Sequence, residues 1–574
     1  MHNFSFLFLL AFFFVNTTLF AQSRVKESYT SPVDIPILLS GNYGELRSSH
    51  FHAGIDIKTQ QTEGKNVLAI DTGYVYRIAV QTGGYGKVVY LKHKNGRVSV
   101  YCHLSRFIPA LEKYVKDAQY RKKSFEVDLT PHAGQFAFSK GALLGYSGNS
   151  GNSAGPHLHF EMRNAQGTVT FNPLNYGFPV KDNTNPEIRS LMIRSLEVDG
   201  TINDTASKIV VQAKGRNGKY TLSPDTFKIS GRFGIGVETY DFLDNSPNEC
   251  GPYTIRLQVD NKTLFFCRID SIAFSSQGYI NSHVDYEEKM ISGRKIQKLY
   301  LDPNNQLNIY KVVVNRGIIR LPDQEVHPVI ITVHDTYGNE SVLKFYIRQE
   351  QAVGKKAVRQ GQQPVARKFY YDSLNVYESP DIRVAIPRGA LFDNIGFTCE
   401  KLEDTLMYAA WHKVHNEYTP LYKNYILSVR AKEIQASLYD KLLLVSKNKD
   451  GSWVSQGGEY KNGYVTARVR SFGWFSLTVD TVKPEISPKS FIPGGRYTEN
   501  QVISFTISDT LSGIRKYAGY IDKQWVLFEY DAKNKLFSYA VDRARLAKGS
   551  LHALEIYVTD NKDNVARYLS DFYY

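Results

Sequence analysis

The sequence predicts a mainly β protein, a compact β domain near the N-terminus followed by several β-sandwiches, and three observations point there. Aromatic residues are abundant, with 39 Tyr and 32 Phe among 574 residues, and such side chains favour half-buried pleated surfaces. From about Val33 to Pro179 short β-like runs alternate with Gly-rich turns, as in Gly73-Tyr-Val-Tyr-Arg-Ile78 and Lys87-Val-Val-Tyr-Leu91. After Asn185-Pro186 the runs lengthen and alternate, as in Val329-Ile-Ile-Thr-Val333, and close in turns of Asp, Asn and Gly. With 42% hydrophobic and 22% charged residues the chain has an ordinary globular composition. Its length predicts roughly three to five folded units.

Taken in order, residues 1–21 form an apolar stretch with Leu19-Phe20-Ala21 as a cleavage tripeptide, the pattern of a signal peptide. Its few positive charges leave an uncleaved anchor as the alternative. No later segment offers the ~20 apolar residues of a membrane helix, so the mature chain is expected to have no membrane span. Within the first domain, residues 30–184, the spacing of Ile108, Leu111 and Tyr114 predicts a short surface helix over 108–123. One or more β-sandwiches are expected over 185–350, then a basic linker over 351–368 poor in large apolar residues. A further sandwich over 369–480 and a C-terminal immunoglobulin-like unit over 481–574 complete the chain. Two strand ends echo each other: Asp335 with Asn339, and Asp560 with Asn564. Such a pair reads either as calcium binding or as an Asx turn closing a hairpin, and the turn is the reading preferred.

The net charge of +14 suits either solubility or attraction to a polyanion such as an anionic cell-wall polymer. No nucleic-acid module is recognisable, so nucleic acid is not an expected partner. Four cysteines cannot frame so long a chain. Cys250 and Cys267 fall in one predicted β unit and are expected either to pair in an oxidising compartment or to be buried thiols.

Chemistry concentrates in four stretches: Ser49-His-Phe-His-Ala-Gly-Ile-Asp56, Tyr101-Cys-His-Leu104, Gly148-Asn-Ser-Gly151 and Gly155-Pro-His-Leu-His-Phe160. On a strand, residues two apart share a face, which sets the rings of His157 and His159 side by side. In His52-Ala-Gly-Ile-Asp56 the glycine disfavours a helix, and a turn into a strand could aim both side chains at one ion. Two imidazoles, a carboxylate and a solvent molecule make the open tetrahedral set of catalytic zinc, whereas structural zinc is usually closed by cysteines. Cys102, beside His103, is expected by alternation to point away from the cleft as a small buried residue.

Together these four motifs, in this order over Gly41 to Tyr176, resemble the lysostaphin and LytM type of zinc metallopeptidase, whose catalytic fold is called the duplicated hybrid motif. The resemblance implies that His52, Asp56 and His159 are ligands of a single Zn2+ and that His103 and His157 are catalytic histidines flanking it. It also implies that His52, not the neighbouring His50, is the ligand. The stretch between His103 and Gly134 is longer than the bare core needs and is expected either to wall the cleft or to be a surface insertion. Members of this family cut peptide cross-links in bacterial peptidoglycan. The resemblance therefore implies an exported endopeptidase, periplasmic or extracellular, whose substrate is the cell-wall peptide and whose sandwiches could meet an envelope protein partner. The rival readings are a zinc-less activator of other wall enzymes and an adhesin or scaffold with an incidental peptidase domain.

Overall fold

A computed structural model describes residues 29–350 and 367–574. The expected signal peptide, residues 1–21, and nearly all of the expected linker, residues 351–366, lie outside the described residues. Strands dominate the described residues, and the longest helix among them is Pro109–Lys122, where the spacing of apolar residues places it. No described helix is long and apolar enough to cross a membrane.

The first unit is built on one antiparallel sheet. Its strands lie in the order Leu39–Gly41, Ile55–Lys58, His157–Arg163, Val98–Leu104, Lys87–His93, Gly73–Val80 and Val127–Leu129. β-Branched and aromatic residues fill these strands, and they bury one face in a core that includes Ile55, Ile57, Tyr101, Leu158, Phe160 and Met162. Two glycines permit the packing around the motifs. A Cβ at Gly54 would lie 2.3 Å from the carbonyl oxygen of Phe160, so only glycine lets the strand after it close on its neighbour. Gly151 has φ +71°, and a Cβ there would meet the backbone of Gly86 at 2.4 Å.

The core of this unit runs without a break into the sandwich that follows, since one cluster of buried side chains includes both Phe160 and Phe345. Strand Val169–Phe171 pairs with Ser271–Ala273 of the second unit. The Asn42 side chain and the Gly251 backbone exchange two hydrogen bonds of 2.7 and 2.8 Å. The strands after residue 366 bury separate cores, one around Phe397, Leu427 and Phe475 and one around Phe505, Phe537 and Ile556. The last of these units folds back on the first: Tyr120 meets Trp525 edge-on at 5.3 Å, Lys116 pairs with Asp542 at 2.9 Å, and Lys533 donates to the carbonyls of Asn149 and Gly151.

Two open readings are decided here and one expectation is corrected. Cys250 and Cys267 are both buried free thiols; Cys267 faces its own sheet neighbours within strand Lys262–Arg268 while Cys250 closes an isolated bridge with Asp241, so membership of one unit did not bring them together. The segment after His103 does not wall the cleft, because its helix buries Leu111, Val115 and Ala118 in the core and offers Tyr120 and Lys116 to the C-terminal unit. Cys102 does not point away from the metal motif: it pairs directly with His159 across the sheet, and such partners share a face. It is nevertheless buried among Ala79, Val88 and Val100, and that burial pushes its thiol well above the ordinary cysteine range, which removes it as a nucleophile. Both Asp/Asn hairpins close as Asx turns, Asp335 Oδ1 accepting from the amides of Tyr337, Gly338 and Asn339 and Asp560 Oδ1 from those of Lys562 and Asn564.

Candidate metal centre

Sheet register assembles the site. Asp56 stands opposite His159, and His157 opposite Lys58, on adjacent antiparallel strands. His52 enters from the turn before Gly54. The three groups meet closely: His52 Nε2 lies 3.0 Å from both Asp56 Oδ1 and His159 Nδ1, and His159 Nδ1 lies 2.8 Å from Asp56 Oδ1. Ligand atoms bound to one tetrahedral ion at about 2.0–2.1 Å stand about 3.3 Å apart, so the trio needs only a slight opening to take zinc. His50 is not part of this cluster.

Each of the three has a partner on its far side. His52 Nδ1 is 2.7 Å from the carbonyl oxygen of Asn42, which leaves Nε2 directed at the centre. His159 Nε2 is 2.9 Å from Glu161 Oε1, and Glu161 is fully buried with Arg163 Nε donating to its other oxygen at 2.6 Å. Tyr85 donates its hydroxyl to Glu161 at 2.7 Å. Arg47 Nη2 donates to Asp56 Oδ2 at 2.7 Å. Glu161 and Arg163 extend the alternation of His157 and His159 along one strand face, which is the signal that would have found them. Asn42, Tyr85 and Arg47 carry no such signal.

His103 and His157 flank the cluster. Their rings are 4.8 Å apart, and His103 lies 5.9 Å from His159. His103 has φ +61°, a left-handed kink at the end of its strand that carries its ring toward the histidines of the neighbouring strand. Its Nδ1 is 2.8 Å from the carbonyl oxygen of Ser150, in the Gly148–Gly151 turn. His157 Nδ1 is 2.9 Å from the Gly155 carbonyl oxygen, and its Nε2 lies 3.4 Å from Asp56 Oδ1. The structure thus brings together all five residues singled out in the sequence.

Charge follows the geometry. Burial lowers the pKa of His52, and burial with the adjacent His159 and His157 brings His103 down to about 3, so His103 is neutral at physiological pH. Burial opposes ionisation of Asp56, yet His52 and hydrogen bonds from the other imidazoles hold its carboxyl well below the ordinary range. Burial likewise disfavours the charged form of His159, and the carboxylates of Asp56 and Glu161 outweigh it, raising the ring to about 9. Glu161 is brought to about 2, burial being outweighed by Arg163 and His159. The site lies on the floor of a cleft of about 1310 Å³, lined on one side by Leu38, His50 and Gln60 and including Asn248 from the second unit.

Two imidazoles and a carboxylate on a β-sheet form a set that could hold a metal ion, and comparison with known proteins shows what the domain is similar to. Residues 50–120 match Peptidase family M23, and residues 366–480 match the Zu5-like domain. It is 31% identical over 180 residues to an uncharacterized metalloprotease of Haemophilus influenzae, a match covering 31% of this chain and 30% of that one. It is 28% identical over 158 residues to the DD-carboxypeptidase/endopeptidase Mpg of Neisseria meningitidis, covering 27% of this chain and 30% of Mpg. The chain thus spans under a third of the length of these curated relatives. Among solved structures, the catalytic domain of lysostaphin from Staphylococcus simulans aligns at 22% identity and TM-score 0.18, over 24% of this chain and 91% of that domain.

Proposed function

We propose that this chain is an exported zinc-dependent metalloendopeptidase that hydrolyses peptide bonds, its substrate being the peptide cross-links of bacterial peptidoglycan. The observation that carries the reading is the convergence of His52 Nε2, Asp56 Oδ1 and His159 Nδ1 within 3.0 Å of one another on the floor of an open cleft. Two imidazoles and one carboxylate match the donor set of a catalytic rather than a structural zinc ion. Zinc, when bound, supplies a Lewis acid that polarises a carbonyl and brings the pKa of water toward neutrality. His52, Asp56 and His159 hold it, and Glu161 and Asn42 fix the two rings that face it.

His103 and His157 work on the substrate side. Each imidazole is tied at Nδ1, His103 to the Ser150 carbonyl and His157 to the Gly155 carbonyl, which presents Nε2 to the cleft. One, neutral, accepts a proton at Nε2 from the attacking solvent and passes it to the leaving amine, while the other donates from Nε2 to the tetrahedral oxyanion in its imidazolium form. Amide hydrolysis then proceeds without a covalent intermediate. The relatives named metalloprotease and DD-carboxypeptidase/endopeptidase support this reading, and the positive net charge of the chain agrees with an anionic wall.

In this reading residues 1–21 direct export, 30–184 form the peptidase domain, and 185–350, 369–480 and 481–574 form β-sandwich units that place it on the envelope or on an envelope protein. Purified peptidoglycan digested with the wild type releases peptide fragments identifiable by mass spectrometry, and His159→Ala releases none. Fragment release that survives both His159→Ala and chelation of zinc overturns the proposal.

A further inference from the structure

Away from the histidines, a second buried cluster gathers Asp182, Asp241 and Asp335, with one carboxylate oxygen of each within 4.8 Å of the others. Asp182 belongs to the segment that leads from the peptidase unit into strand Glu187–Ser195. Asp241 follows strand Phe233–Tyr240, and Asp335 opens the hairpin between Val326–His334 and Glu340–Gln349. All three are buried, Asp241 to 3% exposure. Among the described residues no Lys, Arg or His forms an ion pair with any of them.

Part of the cluster is satisfied and part is not. Asp335 spends Oδ1 on its own turn and accepts from Asn339 Nδ2 at Oδ2, while Asp182 Oδ1 accepts from the amide of Thr184. Asp241 Oδ1 and Asp182 Oδ2 are buried with no hydrogen-bond partner. An unpartnered carboxylate oxygen inside a protein is costly, and three acids this close cannot all ionise without a cation. Burial together with the neighbouring Asp335 and Asp182 pushes Asp241 well above the ordinary carboxylate range. The donors are all hard oxygens with no imidazole or thiol, which selects an alkaline-earth ion over zinc. Magnesium demands a near-ideal octahedron and keeps its own waters, so a buried, irregular set of oxygens favours calcium.

The same construction recurs at the end of the chain. Asp480, Asp509 and Asp560 form a matching cluster, with Asp480 leading into strand Glu485–Pro488, Asp509 following Val502–Ser508 and Asp560 at the last hairpin. Asp182 and Asp480 each open the pattern Asp-x-x-x-Pro-Glu-Ile, and Asn339 and Asn564 donate to the carbonyls of Asp182 and Asp480. Asp509 Oδ2 is again a buried oxygen without a partner.

We infer that Asp182, Asp241 and Asp335 bind a calcium ion that clamps the sandwich to the peptidase unit. The consequence reaches the cleft, because Asp241 begins a loop closed by a bridge to Cys250. Ser246 of that loop donates to the Leu39 carbonyl and accepts from Lys58 Nζ at 2.9 Å, bracing the strand that carries Asp56. Asn248 lines the cleft itself. The ion fixes one end of this brace.

The test is calcium titration of the zinc-loaded full chain, freed of calcium beforehand, by calorimetry and by thermal melting. The wild type takes up calcium with affinity on the order of 0.1–1 mM or tighter, and its melting temperature rises with calcium. Asp241→Asn and Asp182→Asn, which keep the size of the side chain, each take up one ion fewer and, without calcium, melt no lower than the wild type because the repulsion is gone. His159→Ala keeps the full calcium uptake, which separates this site from the zinc centre. Uptake absent up to about 10 mM, unchanged in Asp241→Asn, lost in His159→Ala, or matched by magnesium alone overturns the assignment.

Discussion

Two of the acid-bearing clusters among the described residues make an instructive pair. At the peptidase centre one carboxylate meets two imidazoles, and every donor has a second partner: Asn42 behind His52, Glu161 behind His159 and Arg47 beside Asp56. At the sandwich junction three carboxylates meet no nitrogen base, and two of their oxygens have no partner at all. The first is placed mainly by sheet register, with Asp56 and His159 on adjacent strands and His52 in the turn just before them, and the second by the turns that end strands. Donor chemistry separates the ions they suit, borderline zinc for nitrogen and hard calcium for oxygen. Placement separates their work, since a rigid sheet positions reacting groups and a junction of turns ties two units together.

The largest expected effect breaks one cluster and leaves the other whole. His52→Ala should abolish zinc binding and lower kcat/KM by about 1000-fold or more, while His50→Ala retains zinc and loses only part of the activity; metal analysis beside a peptidoglycan assay reads both. The reverse result would sink the choice of His52 over its neighbour. Next in size, Glu161→Gln removes the charge behind His159 and should weaken zinc affinity by about 10–100-fold, measured by competition with a chromophoric chelator, with little change in kcat once zinc saturates the enzyme. An unchanged affinity would show the buried Glu161–Arg163 pair to be structural packing alone.

A smaller effect is read from pH. Burial raises Asp182 to about 7, with Asp335 adding to the shift, so the calcium-free folded state holds a proton that the unfolded state releases near pH 3.8–3.9. Stability from this group is therefore greatest below that pH and is lost as pH rises toward 7. Denaturant melts of the calcium-free wild type, compared with Asp182→Asn, should show the wild type losing ground over this window, and added calcium should restore it. A constant difference across the window would contradict the picture. The smallest effect is expected from Lys533→Ala, which frees the Asn149–Gly151 carbonyls beside the turn that ties His103 through Ser150. Exposed contacts of this kind contribute little, and kcat/KM should fall by no more than about threefold, without loss of zinc.

Much of this was legible in the order of residues. Alternation and Gly-rich turns announced a mainly β chain, and apolar spacing located the helix at Pro109–Lys122. The five site residues stand in short motifs whose composition already suggested a metal, because imidazole and carboxylate side chains declare their chemistry wherever they sit. Local rules failed where the backbone departs from regularity. Alternation sent Cys102 and His103 to opposite faces of a regular strand, but the φ of +61° at His103 breaks that strand, so both side chains end near His159. The length of the insertion after His103 left open a wall for the cleft or a surface insertion, and only the surface it meets, Trp525 and Asp542 of the last unit, showed where it belongs.

By itself the sequence determined the fold class, the motifs and the kinds of donor atoms available, since these depend on side-chain chemistry and on periodicities a few residues long. Only the tertiary structure decided which donors meet. His52 and His159 are 107 residues apart and Asp182 and Asp335 are 153 apart in the chain, and nothing local couples such positions. Sheet register and the continuous core shared by the first two units bring the donor atoms of each cluster within 4.8 Å of one another, because burying the apolar faces fixes how those strands and turns close.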